Sequence, residues 1–223
     1  MPRQRSEQPP QQRLLAAGKA LFAQVGYEQT STSAITRRAG TSESQLMRYF
    51  DGKRGLLAAI FDGSWHALNS QIEEIVNEDV TEAVPAIELV LSTVIVAFER
   101  DRELANLFLL EGRRIHAGER DLVLSRGYLE FVDFLQRLIR RAQKARTIAP
   151  RIDGAALSSA LIGAAEGMIR DRLIAERAGQ RQPFSQQQIR HVFSAFLQGI
   201  RERKRTVGVN RKTRATRGRS PSR

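Results

Sequence analysis

The sequence predicts an all-α fold of about nine helices. Three observations carry this. Apolar residues recur at helical spacing along nearly the whole chain. Polar capping residues and glycines punctuate that period where helices should start and stop. No pair of alternating segments flanks a hairpin turn. A chain of 223 residues with 41% hydrophobic content can bury a sizeable core without staples.

The elements follow in order. Leu14, Leu15, Leu21, Phe22 and Val25 form one face of a first helix, which Gly26 closes. Thr32 or Ser33 caps a short second helix over 34–39, ended by Gly40, and Ser42 caps a third over 43–50. A fourth runs from about 53 to 77, with Leu56, Leu57, Ile60, Phe61, Leu68, Ile72 and Ile75 on its apolar side. Thr81 caps a fifth, which tolerates Pro85 in its first turn and reaches about residue 100. Its Val94-Ile95-Val96 run has the residue types of a strand, but Ile87, Leu91, Val94, Ile95 and Phe98 keep the helical period. A sixth helix spans about 103–113, and a seventh about 120–146. Asp153 caps an eighth reaching about residue 178, and Ser185 with Gln188 forms a capping box for a ninth.

The formal net charge is +12, and 31 of the 36 basic residues are arginine. The charge divides the chain into four parts. An N-terminal arm, 1–12, and a basic tail, 206–223, are too polar to offset ordering entropy and are expected to be disordered. Between them lie a small domain over 13–62 and a larger one over 63–205. Residues 14–62 carry +2 and residues 63–200 carry −1, whereas 201–223 carry +9. Such a balance favours anionic partners.

Several function classes drop out. With no cysteine there is no disulfide, thiolate nucleophile or Cys-ligated metal, and a reducing compartment fits. His66, His116 and His191 show no metal-site spacing. No phosphate-cradling loop, nucleophile elbow or dinucleotide fingerprint is present, so neither an enzyme nor a cofactor is expected. The longest apolar stretch, residues 87–98, is too short to span a bilayer, and no signal peptide is visible. A cytoplasmic protein without membrane contact is expected.

Residues 33–52 read as helix, tight turn, helix. Ile35 and Ala39 share one face, Leu46 and Phe50 share another, and Gly40 supplies the turn between two crossing helices. The outer side of the second of these helices offers Glu43, Ser44, Gln45, Met47 and Arg48, groups suited to base edges in a major groove. Tyr49 and Lys53 stand where phosphates would be held. Spacing alone also fits an ordinary helical hairpin with a polar outer face.

The stretch 13–61 resembles the N-terminal domain of the tetracycline-repressor (TetR) family of bacterial transcriptional regulators. The matching residues are Ala20-Leu21-Phe22, Gly26-Tyr27, Thr30-Ser31, Ile35, Ala39-Gly40, Ser42, Leu46, Tyr49-Phe50, Lys53 and Leu56-Leu57. The resemblance implies a three-helix DNA-binding domain followed by a helical ligand-binding and dimerisation domain. It assigns DNA contact to Thr32, Ser33, Arg37, Thr41, Ser42, Glu43, Ser44, Gln45, Arg48, Tyr49 and Lys53. Ala34, Thr36, Ser44 and Met47 depart from common choices, and Met47 removes a usual phosphate anchor. Arg3, Arg5 and Arg13 form an arm that either reaches a minor groove or stays solvated. The basic tail adds sequence-independent phosphate contacts or merely solubilises.

Helices four to seven should enclose an effector pocket. Its bulky candidates are Trp65, Phe98, Phe108, Tyr128, Phe131, Phe134 and Met168, with Glu111 as a polar group; each also suits plain core. The last two helices carry Ala156, Ala160, Gly163, Ala164, Gly167, Ile189, Val192, Phe193, Phe196 and Leu197, which suit either packing within one chain or the family's four-helix dimer interface. The resemblance thus implies a homodimeric repressor, released from a palindromic double-stranded DNA operator by a small apolar effector. The alternative is a non-specific architectural nucleic-acid binder driven by the tail.

Overall fold

The computed structural model describes residues 8–76, 82–111 and 125–201, with the side chains of 110 and 111 left aside. The described residues form helices and connecting turns, with no strand among them. The helices are α1 (Pro10–Val25), α2 (Thr32–Ala39), α3 (Glu43–Phe50), α4 (Gly52–Ile75), α5 (Ala83–Arg100), α6 (Arg102–Asn106), α7 (Arg126–Lys144), α8 (Gly154–Arg177) and α9 (Gln186–Gly199). The order matches the sequence reading. The expected arm 1–12 is shortened, because α1 starts at Pro10, where proline's missing N–H costs nothing.

The predicted caps hold where the chemistry is local. The Ser42 hydroxyl accepts from Gln45 N at 3.3 Å, and the Asp153 carboxylate accepts from Ala156 N at 2.8 Å. Ser185 and Gln188 form the complete capping box. The cap of α2 is Ser31, however, not Thr32 or Ser33. Its hydroxyl accepts from Ala34 N at 3.1 Å, and Thr32 is already helical. The expected Thr81 cap and residues 120–124 lie outside the described residues, and α7 is capped by Ser125.

Two apolar clusters organise the chain. Leu14, Phe22, Ile35, Leu46, Phe50, Leu56, Ile60, Phe61 and Leu107 form the core of an N-terminal head. The second cluster gathers α5, buried along most of its length, with inward faces of α4, α7, α8 and α9. The Val94-Ile95-Val96 run is helical within α5. Helix α4 serves both cores: Leu56, Ile60 and Phe61 face the head, while Trp65, Leu68 and Ile72 face the body.

The sixth helix departs from expectation. Its continuous α-helix stops at Asn106, and Leu107–Glu111 wind as a π-turn. Fully buried Leu107 enters the head core, while Leu109 enters the body core. Phe108 packs against both clusters, 4.7 Å from the Phe61 ring centroid. A one-faced amphipathic helix cannot serve two cores this way, and the all-apolar run Leu107–Leu110 concealed the change.

Tight contact explains Gly127. A Cβ there would lie 2.5 Å from Trp65 Cβ, next to a backbone that cannot retreat. Gly127→Ala should therefore destabilise by about 1–3 kcal/mol, read as a lower melting temperature by circular dichroism.

Candidate nucleic-acid interface and ligand groove

The head is built around the turn between α2 and α3. Gly40 adopts φ 60°, the left-handed conformation the sequence reading assigned to it. Its N–H donates to Arg37 O at 3.3 Å, and Thr41 N donates to Thr36 O at 2.9 Å. Ile35 and Ala39 on α2 and Leu46 and Phe50 on α3 point inward, all buried. The opposite side is open. Ser33, Arg37, Ser42, Glu43, Ser44, Met47 and Arg48 are exposed, and Thr32, Thr41, Gln45 and Tyr49 are half-buried along the same edge. The fold thus gathers the proposed contact residues of α2 and α3 on one polar surface. Ser42 and Ser44 hydroxyls lie 2.9 Å apart, and Arg48 Nη2 donates to the Tyr49 hydroxyl at 2.8 Å.

Two cations brace the head. Lys53 Nζ donates to Tyr27 O at 2.9 Å and lies 4.2 Å from the Tyr27 ring centroid. Arg13 belongs to α1 rather than to a loose arm, and its Nη1 donates to Gly40 O at 3.2 Å. It clamps the turn, because helix α1 begins before it. Arg3 and Arg5 lie outside the described residues.

One positioning residue escaped the sequence reading. The join from α3 to α4 takes positive φ at Asp51 (54°) and Gly52 (92°), which folds α4 back beneath α3. Three residues on, a Cβ at Gly55 would sit 1.6 Å from Phe50 O. Only glycine fits there. A glycine in the first turn of a helix gave no local signal, since the clash is with the preceding helix.

Two apolar cavities adjoin the body. The first is small, about 40 Å³, enclosed by Trp65, Phe98, Phe108, Tyr128, Phe131 and Glu166 among others. The Trp65 ring centroid lies 5.0–6.4 Å from those of Phe131, Phe108, Tyr128 and Phe98. Five of the expected pocket residues therefore meet, but they fill the space with one another. Phe134 and Met168 do not line it. Phe134, half-buried against the edge of the body core, lines a polar cleft with His66 and Arg137. The Glu111 side chain lies outside the described residues.

The second cavity is a groove of about 760 Å³ that the sequence reading did not foresee. It runs between head and body, with Leu15, Ala16 and Lys19 of α1 on one side. Ala59, Gly63, Ala67, Val96 and Ala97 form its floor. Lys19, Arg100 and Asp101 lie along its polar edge, where Lys19 pairs with Asp101 and ties α1 to the start of α6. The size falls within the roughly 300–1,000 Å³ of small-molecule sites. Its signal is the alternation of small residues at 59, 63 and 67, which reads as plain helix packing until α1 is placed opposite.

The last two helices separate the expected interface residues into two sets. Ala156, Ala160, Gly163, Ala164, Val192 and Phe196 are exposed, and Gly167 is half-buried. Exposed Ile174 extends this apolar face. Ile189, Phe193 and Leu197 instead fill the protomer's own core, because they occupy the inward side of α9. Among the described residues no helix is long and apolar enough to cross a membrane.

Residues 14–60 match the family model for bacterial regulatory proteins of the tetR family. The fatty acid metabolism regulator protein of Bacillus subtilis (strain 168) is 26% identical over 131 residues, 58% of this chain and 67% of that protein. Two solved structures share the fold. The fatty acid degradation regulator FadR from Bacillus halodurans has a TM-score of 0.73 at 18% identity, over 89% of this chain and 100% of that one. FadR from Bacillus subtilis in complex with stearoyl-CoA has a TM-score of 0.70 at 19% identity, over 83% and 96%.

The geometry of α3 gives a direct test. Gly55→Ala should push α3 off α4 and weaken DNA binding by at least about tenfold, roughly 1.4 kcal/mol, measured by fluorescence anisotropy on genomic fragments, while the far-ultraviolet helical signal is kept.

Proposed function

We propose that this chain, which belongs to the tetR family of bacterial regulatory proteins through its residues 14–60, is a homodimeric repressor that leaves a palindromic operator when an acyl-chain effector binds. The observation that carries the DNA half is the single polar edge of α2 and α3, held rigid by Gly40, Arg13 and Lys53. Gln45 and Arg48 contact base edges, while Thr32, Ser33, Arg37, Thr41, Ser42, Ser44 and Tyr49 position the head on the backbone. Glu43 accepts from a cytosine amino group or excludes other bases.

The exposed apolar face of α8 and α9 supports the dimer. A Cβ at Gly163 would meet nothing within 4 Å, so a partner helix can approach closely there. Twofold symmetry sets two heads on half-sites one helical turn apart, or a multiple of it.

Two facts support an apolar acyl effector. The groove presents aliphatic walls with cations at one edge. One structural relative is described with stearoyl-CoA bound. An acyl chain in the groove presses α1 away from α5, against the Lys19–Asp101 pair. Moving α1 moves the head, because Leu14, Ala17 and Phe22 are part of the head core. Linkage then requires DNA to weaken effector binding by the factor by which effector weakens DNA binding.

Selection of bound fragments from random DNA should return a palindrome. Gln45→Ala and Arg48→Ala should each weaken that site by about 1–3 kcal/mol. Gly63→Leu should fill the groove. It should leave operator affinity within about 0.5 kcal/mol and abolish release by stearoyl-CoA. Equal affinity of stearoyl-CoA for free and operator-bound protein would sink the mechanism.

A further inference from the structure

One side chain on the polar edge of α2 and α3 does not match its surroundings. Met47 is 53% exposed, and among the described residues no other large exposed apolar side chain lies on α2 or α3. Its neighbours on the outer side of α3 are Glu43, Ser44 and Arg48. Two of these already have partners. The Ser44 hydroxyl lies 2.9 Å from that of Ser42, and Arg48 Nη2 donates to the Tyr49 hydroxyl at 2.8 Å. A thioether has no donor and only a weak acceptor, so Met47 does not join that network. A lone exposed apolar side chain is common on protein surfaces. This one stands on the surface proposed for base contact.

Its place on the helix decides what it can meet. Successive side chains step by about 100° around an α-helix. Leu46 is fully buried and marks the inward direction. Gln45 and Met47 therefore stand on opposite flanks of α3, with Ser44 and Arg48 between them on the outer side. A helix with its side chains is about 10–12 Å across, and the major groove of B-DNA is about 12 Å wide. A helix seated there fills the groove, and its flanks face the two walls.

The 5-methyl group of thymine projects beside the groove wall, and apolar side chains are its natural partners. Cytosine at the same place lacks the methyl group and sets its amino donor against a side chain that accepts poorly. The Met47 sulfur lies beside the join to α4, where a Cβ at Gly52 would stand 3.5 Å from it. From that base an unbranched, polarizable chain can settle on a methyl group by changing rotamer. We propose that Met47 determines part of the operator's sequence by packing on the 5-methyl group of a thymine in each half-site. The proposal rests on the DNA reading of the head and adds a base preference to it. Gln45 and Arg48 select bases by hydrogen bonds, whereas Met47 selects thymine over cytosine by apolar contact.

The test titrates the full chain, by fluorescence anisotropy, against the palindrome selected from random DNA. Each thymine of the half-site is replaced in turn by uracil, which pairs identically and lacks only the methyl group. At one position the wild type should lose about fourfold in affinity per half-site, the worth of one buried methyl-sized group. Met47→Ser should bind the thymine operator more weakly by the same factor and show no further loss with uracil at that position, closing a double-mutant cycle. Met47→Leu should keep the preference for thymine. Melting curves confirm that both variants fold. A purely structural role for Met47 weakens binding to every operator alike and leaves the thymine-to-uracil ratio where it was. An unchanged ratio in Met47→Ser, or a wild type indifferent to uracil at every position, would overturn the assignment and leave the DNA reading of the head standing. Selection that returns no palindrome, with binding untouched by Gln45→Ala and Arg48→Ala, would overturn both together.

Discussion

Helix α4 is a stiff rod that must satisfy two cores at once. Its 24 residues span about 36 Å. Leu56, Ile60 and Phe61 are committed to the head, and Trp65, Leu68 and Ile72 to the body. Each such side chain contributes about 1.5–3 kcal/mol on burial, so neither half can be released cheaply. Everything near the junction is shaped by that demand. Leu107 and Phe108 leave the regular helical path to seal the head onto α4. Gly18 lets α1 approach Leu56, where a Cβ would meet Leu56 Cδ2 at 2.6 Å, and Gly127 lets α7 approach Trp65.

The polar fastenings of the same junction are of a different kind. Lys19–Asp101 and Arg102–Glu176 are partly exposed ion pairs, and such pairs are worth about 0–1 kcal/mol. The Arg172–Glu99 pair, 2.6 Å apart, is better shielded and orders α8 against α5. The head is thus held to the body strongly along α4 and weakly along α1. The groove opens on the weak side, between α1 and α5. In the proposed linkage a ligand there would work against the less costly contacts, with α4 as the pivot. That asymmetry gives the proposed linkage its mechanical basis.

Much of this architecture was legible in the residues. Ser42, Asp153 and the Ser185–Gln188 box were read correctly because a cap is settled within four residues of chain. Gly26 and Gly40 were legible for the same reason. The head's polar edge followed from periodicity around one turn. The misses have separate causes. Ser31 lost to its neighbours because four consecutive hydroxyl residues, 30–33, offer similar local chemistry. Arg13 looked like part of an arm until α1 was seen to begin at Pro10. Ile189, Phe193 and Leu197 were grouped with Val192 and Phe196, because one broad apolar stripe does not state which part of it its own chain covers.

Local chemistry in the chain therefore decided the helices, most of their caps and the Gly40 turn, since each depends on groups within a few residues of one another. The fold decided where the space is. Facing aromatics closed the cavity the sequence pointed to, and small residues at 59, 63 and 67 opened another only once α1 lay across them. Volume, burial and the meeting of distant charges are properties of packing, and no periodicity along a single chain encodes them.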